Sequence, residues 1–519
     1  MKRVEAQCAS VGVPSSVLME NAGRAVAEEV RRSVGDGFRR VLVLTGPGNN
    51  GGDGEVAARY LKGWGYDVSI YVLSHRPADD SNLVLAVEAG VSVVQDALPT
   101  SALAERTVRA ADVVIDAIFG TGFKVGRGGK PGRPLDQNVT GVLDLVKKAK
   151  ERRPELALFA LDVPSGLDAD TGGADEASLF ADETVVLGYP KPGLFNMPAA
   201  ERVGRIKIVD IGIPPDLAQD GVAELMTGNS VKSLLPRRPT VANKGTFGKV
   251  MVVAGSTKYI GAACLACSGA LRVGAGLVTL ATRASLQAIM ASKLTEVTHL
   301  PLSESSPGVL SPEAASEVKR GIEDYDVLLV GCGLGRHESS VNMIKSLFLG
   351  QDTLQQTCVV DADALNILGE LGLDEQVWRR LGGDAILTPH PGEMSRLTGV
   401  PVEQIQRDRL ATAARAARDW HKTVVLKGAY TVVAAADGRL AVSPFASAAM
   451  ASAGTGDVLA GAIAGFAAQG LAPFEAALAG VYIHGKAGEL VARELGDAGV
   501  IAGDIQQRLP AAIKETKGG

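Results

Sequence analysis

At 519 residues the chain is too long for one ordinary core, so two or three domains are expected. A hydrophobic fraction of 46% with 21% charged residues is globular, and a net charge of −5 argues against a non-specific nucleic-acid binder. No uncharged apolar run is long enough for a membrane span, MKRVEAQCAS has no apolar signal core, and five scattered cysteines point to a reducing, cytoplasmic setting without a disulfide framework.

In chain order, the spacing of Val17, Leu18, Ala22, Ala25, Val26 and Val30 predicts a helix, with Ser15 or Ser16 as its cap. Residues 41–45 form a short apolar strand that runs into GPGNNGGDGEVAARYL (46–61). A strand, a glycine-rich turn and a helix make a phosphate cradle at a strand end. The stretch is neither the dinucleotide fingerprint nor a Walker loop, and its asparagines and aspartate offer groups to a ligand or a hard cation. The alternative is a purely structural turn. Strands are predicted at 68–73, 112–118, 156–163, 183–187 and 205–209. Asp116 stands at the end of one, and Asp162 and Ser165 at the end of the next. In a parallel sheet such ends gather in one crevice. Asn50, Asp116 and Ser165 could then serve one cation, with Asp162 facing the same ligand; singly, each is more often a strand-end cap. Pro190 and Pro192 hold Lys191 in a stiff turn. Residues 216–240 lack a clear core strand and are expected to link 1–215 to 241–519.

In the second part, strands are predicted at 249–254, 277–281, 326–330, 358–363, 385–387 and 423–426. They end in Gly255-Ser256, in Gly331-Cys332-Gly333-Leu334-Gly335, in Asp361 and Asp363, in Thr388-Pro389-His390, and in Lys427-Gly428. Cys264 and Cys267 are spaced C-x-x-C, but the surrounding AACLACSGALRVGAGL is a buried alanine-rich helix, so structural thiols are expected. The stretch ASAGTGDVLAG (451–461) carries the chemistry: small residues and two glycines open a helix whose amides collect anions, with Asp457 placed as a base beside a phosphoryl group. A tight loop with a helix cap is the bland alternative.

The strings KGTFGKVMVVAGS, YIGAACLA, GAGLVTLAT, VGCGLG, VVDADALN, LTPHPGEMSRL, LKGAYT and AGTGDVLAG, in that order, closely resemble the ADP/ATP-dependent dehydratases of hydrated NAD(P)H, a branch of the ribokinase-like fold. In the first part, LMENAGRAVA, GPGNNGGDG, DAIFGTG and LDVPSGLD resemble the companion NAD(P)HX epimerases. The resemblance implies an α/β protein with an N-terminal Rossmann-like three-layer αβα domain and a C-terminal ribokinase-like αβα domain. It implies repair of hydrated NAD(P)H by epimerisation of the two hydrates and ADP-driven dehydration.

On the epimerase side, the resemblance assigns dinucleotide contacts to Asn49, Asn50, Gly51, Gly52, Asp53, Gly120, Thr121, Gly122, Phe123, Lys124, Val125, Gly126 and Asp162. It assigns K+ to Asn50, Asp116 and Ser165, and acid/base work to Asp162 with Lys191. On the dehydratase side, the hydrated dinucleotide falls to Ala263, Gly335, His390, Pro391, Gly392, Glu393, Met394, Ser395, Arg396 and Asp457, with His390 positioning rather than acting as a base. ADP falls to Lys427, Gly428, Ala429, Tyr430, Thr431, Ser447, Ala448, Ala449, Met450, Ala451, Ser452, Ala453, Gly454, Thr455 and Gly456, with Mg2+ bridging its phosphates and Asp457 taking the hydroxyl proton. Small-molecule partners and a homo-oligomer are implied, with no nucleic acid and no membrane. Three residues depart from the family pattern: Ala453 for glycine, Cys332 for proline, and Glu55 for an apolar residue. The competing readings are a ribokinase-like sugar or vitamin kinase, which leaves the first domain and the PHPGE string unexplained, and a first half that binds without catalysing.

Overall fold

The computed structural model describes residues 2–36, 39–73, 80–95, 98–125, 134–217, 223–350, 354–372, 378, 381 and 384–518. The chain divides into two compact units, 1–222 and 223–519. Both are α/β bodies built on largely parallel sheets.

The first unit carries β1 (Arg40–Thr45), β2 (Asp67–Val72), β3 (Ser92–Val94), β4 (Val113–Ala117), β5 (Ala157–Leu161), β6 (Glu183–Leu187) and β7 (Arg205–Val209), in the order β3-β2-β1-β4-β5-β6-β7. Leu44 of β1 lies beside Tyr71 on one side and Asp116 on the other. Runs such as VVIDA and ALFAL are apolar almost throughout because helices cover both faces of the sheet. The strand order reverses between β1 and β4, which opens a crevice beyond their carboxyl ends. The helix Asn49–Gly63 leaves β1 through the glycine turn and lies close against the sheet. A Cβ on Gly54 would stand 2.6 Å from that of Ala117, so only glycine fits there. Two local expectations change. A helix, Lys2–Ser10, precedes the predicted one, and the helix Ser15–Val34 takes Pro14 as its N-cap with no side-chain cap from Ser15 or Ser16.

The second unit carries β8 (Glu224–Leu225), β9 (Lys249–Val253), β10 (Leu277–Arg283), β11 (Thr298–Leu302), β12 (Glu304–Ser306), β13 (Val309–Leu310), β14 (Val327–Val330), β15 (Thr357–Val360), β16 (Ala385–Leu387), β17 (Thr423–Leu426), β18 (Val432–Ala434) and β19 (Leu440–Val442). Ten of them form a sheet in the order β11-β10-β9-β14-β15-β16-β17-β18-β19-β8, and β12 pairs with β13. The order reverses between β9 and β14, and again the strand ends gather there. The helix Thr455–Ala468 is buried from Val458 to Ala468, apolar all round, as a core helix must be. It packs so closely on the helix Ile260–Arg272 that a Cβ on Gly461 would meet the Ala266 carbonyl oxygen at 2.1 Å.

Part of 216–240, expected as a linker, is built into this unit. β8 pairs with β19, the helix Gly228–Leu234 follows, and Met226, Val231 and Leu235 are buried in the core. The two-residue strand is too short to leave a period in the sequence. The helix start is set by Thr227 and Ser230 bonding reciprocally.

Candidate active sites

The first site is a cleft of about 1300 Å3 at the strand ends of the first unit. Among the residues expected to meet a dinucleotide, Asn49, Asn50, Asp53, Gly120, Thr121, Gly122, Phe123, Lys124 and Asp162 line it. Gly51, Gly52 and Val125 do not. The Cα of Gly52 faces Met19, and Val125 packs against Gly173. Gly126 lies outside the described residues.

Asp162 follows β5 with φ 65°, a left-handed conformation that only a short polar side chain adopts readily. Its Oδ1 accepts from the Leu187 N–H at 3.0 Å and from the ammonium of Lys191. Both side chains of this ion pair are buried, and Lys191 Nζ also donates to the Leu187 carbonyl at 3.2 Å. The two residues expected to share acid/base work are therefore in contact, with Asp162 facing the cleft and Lys191 behind it. Asp53 is buried in the same cleft; burial first, then the charges of Asp162 and Glu5, push its carboxyl well above the usual range, against the pull of Lys191.

Asp116 is 1% exposed. Its oxygens accept from Ser165 N–H at 2.8 Å, Ser165 Oγ at 2.5 Å and Ile118 N–H at 3.3 Å. Burial raises its proton affinity, while the Ser165 bonds oppose that rise. Asn50 lies nearby: its Oδ1 would be 3.1 Å from a Cβ on Gly120, and its buried Nδ2 has no partner among the described residues.

Glu5, Gln137 and Asn138 also line the cleft and were not singled out from the sequence; Ser15, Leu18 and Met19, named there as a cap and as part of a helix and its motif, line it too. Helical spacing identified an apolar face around Leu18, but not that this face reaches the cleft.

In the second unit the ends of β14, β15, β16 and β17 converge on the start of the helix Thr455–Ala468. The Cys332 thiol and the carboxylates of Asp361 and Asp457 bring one ligand atom each to within 4.8 Å of one another. Lys427 Nζ donates to Asp361 Oδ1 at 2.6 Å and lies 3.8 Å from Glu393 Oε2. The same nitrogen is 3.4 Å from the position of a Cβ on Gly456, so the ammonium faces the glycine-rich loop. Gly454 has φ 92°, and Thr455 Oγ1 is turned back onto the carbonyls of Met450 and Ser452. Burial, then Asp361, pushes the Asp457 carboxyl up to about 6, against the Cys332 hydrogen bond and Lys427. Burial pushes Glu393 up to about 7, opposed by Lys427.

His390 caps the helix Pro391–Thr398. Its Nδ1 accepts from the N–H groups of Gly392 at 3.0 Å and Glu393 at 3.3 Å, and Glu393 Oε2 accepts from the His390 N–H at 2.8 Å. Burial, then Lys427, lowers the proton affinity of the imidazole. Gly335 N–H donates to Asp363 Oδ2 at 2.8 Å, and Arg396 donates to Asn366 Oδ1 at 2.8 Å. Ala263, Met394, Ala449 and Tyr430 are buried as whole residues. Gly428, Ala429, Thr431, Ser447, Ala448, Met450, Ala451, Ser452 and Ala453 lie in the loops after β17 and β19, beside the helix start. Pro391, Gly392 and Ser395 lie on the helix that His390 caps.

Two buried arginines support this site and were not anticipated. Arg283 donates to the carbonyls of Gly308 at 2.9 Å, Gly255 at 2.5 Å and Leu334 at 3.1 Å, and to Ser340 Oγ at 3.0 Å. Arg409 donates to the carbonyls of Leu426 at 3.0 Å and Lys427 at 3.1 Å. Both hold strand ends that carry site residues.

Cys264 and Cys267 are free thiols on a packed helix, and burial raises the proton affinity of both. No described helix is long and apolar enough to cross a membrane.

Residues 250–511 match the NAD(P)H-hydrate dehydratase family, and residues 15–193 match the YjeF-related protein N-terminus. The chain is 41% identical over 513 residues to the bifunctional NAD(P)H-hydrate repair enzyme Nnr of Moorella thermoacetica, covering 97% of this chain and 93% of that protein. It is 36% identical over 511 residues to the enzyme of the same name from Thermofilum pendens, again covering 97% and 93%. A solved ribokinase-like superfamily protein from Enterococcus faecalis superposes with a TM-score of 0.50 at 26% identity, covering 57% of this chain and 97% of that one. Both units, in this order, are matched along nearly the whole length, and the glycine-rich loop with its carboxylate falls where the dehydratase match lies; the chain belongs to the family of bifunctional NAD(P)H-hydrate repair enzymes.

Proposed function

We propose that the first unit interconverts the (R) and (S) hydrates of NAD(P)H and that the second dehydrates the (S) form with ADP, releasing NAD(P)H, AMP and phosphate. The observation that carries the reading is the convergence of Asp457, Lys427 and the Gly454–Gly456 loop at one helix start. Hydroxide leaves a ring poorly; a phosphate ester leaves well. Asp457 takes the hydroxyl proton as phosphorus arrives, and the loop amides with the Lys427 ammonium neutralise the moving charge. In the first unit, Asp162, aimed by Leu187 and Lys191, moves protons at the hydroxyl-bearing carbon.

Two cations belong to this reading. The Asp116, Ser165 and Asn50 oxygens suit K+: among the described residues the buried Asp116 carboxylate has no cation partner, the Ser165 hydroxyl is bonded to it, and the neutral Asn50 Oδ1 lies against Gly120. Magnesium suits a site where a carboxylate, Asp361, joins donor phosphates; the soft Cys332 sulfur would not ligate it. Bound there, it supplies charge neutralisation of the phosphates. A cytoplasmic location and self-association complete the reading.

The test is an epimer-resolved assay with hydrated NADH and ADP. Recovery of reduced-nicotinamide absorbance from both epimers is expected, with recovery from the (R) form slowed when Li+ replaces K+. No recovery, with phosphorylation of a vitamin or sugar alcohol instead, would overturn the reading. Sedimentation analysis tests self-association.

A further inference from the structure

Dehydration removes a hydroxyl from one ring carbon and a hydrogen from its neighbour, so the reaction needs two proton acceptors. Asp457 serves the hydroxyl. Once that oxygen carries phosphate, the C–O bond breaks and phosphate leaves with the bonding electrons. The neighbouring C–H bond then breaks, its electron pair completes the carbon–carbon double bond, and its proton goes to a base. Nothing is oxidised or reduced beyond the restored ring. We propose that Glu393 is this second base, abstracting the proton from the carbon beside the one that bore the hydroxyl. The inference rests on the dehydratase reading given above.

Glu393 lies about the same cation as the glycine-rich loop that leads to Asp457. Lys427 Nζ is 3.8 Å from Glu393 Oε2, 2.6 Å from Asp361 Oδ1, and 3.4 Å from a Cβ on Gly456, the residue before Asp457. Asp361 and Glu393, which follow β15 and β16, thus flank the ammonium that faces the loop leading to Asp457. The Glu393 side chain is buried and aimed, because Oε2 accepts from the His390 N–H at 2.8 Å.

The other bases nearby are also engaged, as Glu393 is by the His390 N–H. His390 Nδ1 is occupied by two backbone N–H groups, and its Nε2 faces Glu393 Oε1 at 3.3 Å. Asp361 holds Lys427, and Asp363 holds the Gly335 N–H at 2.8 Å. The Cys332 thiol is kept protonated by burial and by Asp457 and Asp361. Burial also pushes Glu393 up to about 7, so it can carry a proton near neutral pH.

Glu393→Gln keeps an oxygen for the cap and removes the base. AMP and NADH are followed in the same sample, using ADP and NADH hydrate prepared in deuterium oxide, which carries deuterium on the carbon in question. Wild type should release NADH in step with AMP. The Gln variant should still form AMP but release NADH about 100-fold more slowly, accumulate phosphorylated hydrate by mass, and show an isotope effect on NADH that is absent from AMP. Glu393→Asp should restore part of the NADH rate. AMP and NADH remaining in step in the Gln variant would overturn the proposal, because the departing phosphate would then suffice as base. Loss of AMP in both variants would also overturn it, since that marks a structural cap. Failure of the wild type to release NADH would instead sink the parent reading.

Discussion

Lys427 Nζ sits 2.6 Å from Asp361 Oδ1, so the cation that faces the glycine-rich loop is anchored by a carboxylate from another strand. Asp361 is also a leading cause, after burial, of the raised proton affinity of Asp457. Converting Asp361 to asparagine removes that repulsion and frees Lys427 to turn toward Asp457. A base works only when deprotonated, so wild-type kcat/KM should fall below a pH of about 6. The Asp361→Asn inflection should lie lower, alongside a reduced maximum rate. A pH profile with an unmoved acidic limb would contradict the coupling.

Asp457→Asn should lower dehydration by roughly 10²–10⁴-fold and leave epimerisation intact. It should also stabilise the fold. The Asp457 carboxyl is raised from 3.8 to about 6, so ionising it costs the folded state. That cost is absent below pH 3.8, grows up to about 6 and persists at neutrality. The variant should melt higher than wild type at pH 7, and the difference should vanish near pH 4. Equal melting points at pH 7 would show that the burial penalty is relieved elsewhere.

Lys191→Met strands a buried Asp162 carboxylate and should cost the first unit about 3–5 kcal/mol. Asp162→Asn tolerates the left-handed backbone and keeps an oxygen for Leu187 N–H, but it leaves the buried Lys191 ammonium without its counter-charge, so it too should lose stability while epimerisation is lost. Conversion of the (S) hydrate by the second unit should survive in Asp162→Asn. Chemical denaturation and the epimer-resolved assay separate the two outcomes.

Arg283→Met leaves three strand-end carbonyls without their donor and should destabilise the second unit by at least about 3 kcal/mol. Lysine should recover only part, because one ammonium cannot reproduce the planar fork. Urea unfolding of the second unit checks both.

The strand ends that build both sites were legible because each is an apolar run closed by glycine or a polar residue. Asp116, Asp162, Asp361 and Lys427 all mark such ends, and the α/β rule sends them to one side. The contacts made there were not legible. Lys427 and Asp361 are 66 positions apart, and Arg283 reaches Leu334 across 51. No local period records a bond of that span. Ala263 shows the converse: the resemblance assigns it to the hydrated dinucleotide, yet it is buried in the core. Cys332, a departure from the family pattern, is buried against Asp457 and displaces no acid or base.

The short strand β8 has a practical consequence for anyone who wants the second half by itself. Its pairing with β19 shields an otherwise open sheet margin, and Lys517 near the last turn of the chain reaches back to the Pro236 carbonyl at 2.9 Å. A fragment that starts at 241 would bare that margin to sticky intermolecular pairing and lose the apolar plug of Met226, Val231 and Leu235. One that starts at 223 should stay monodisperse.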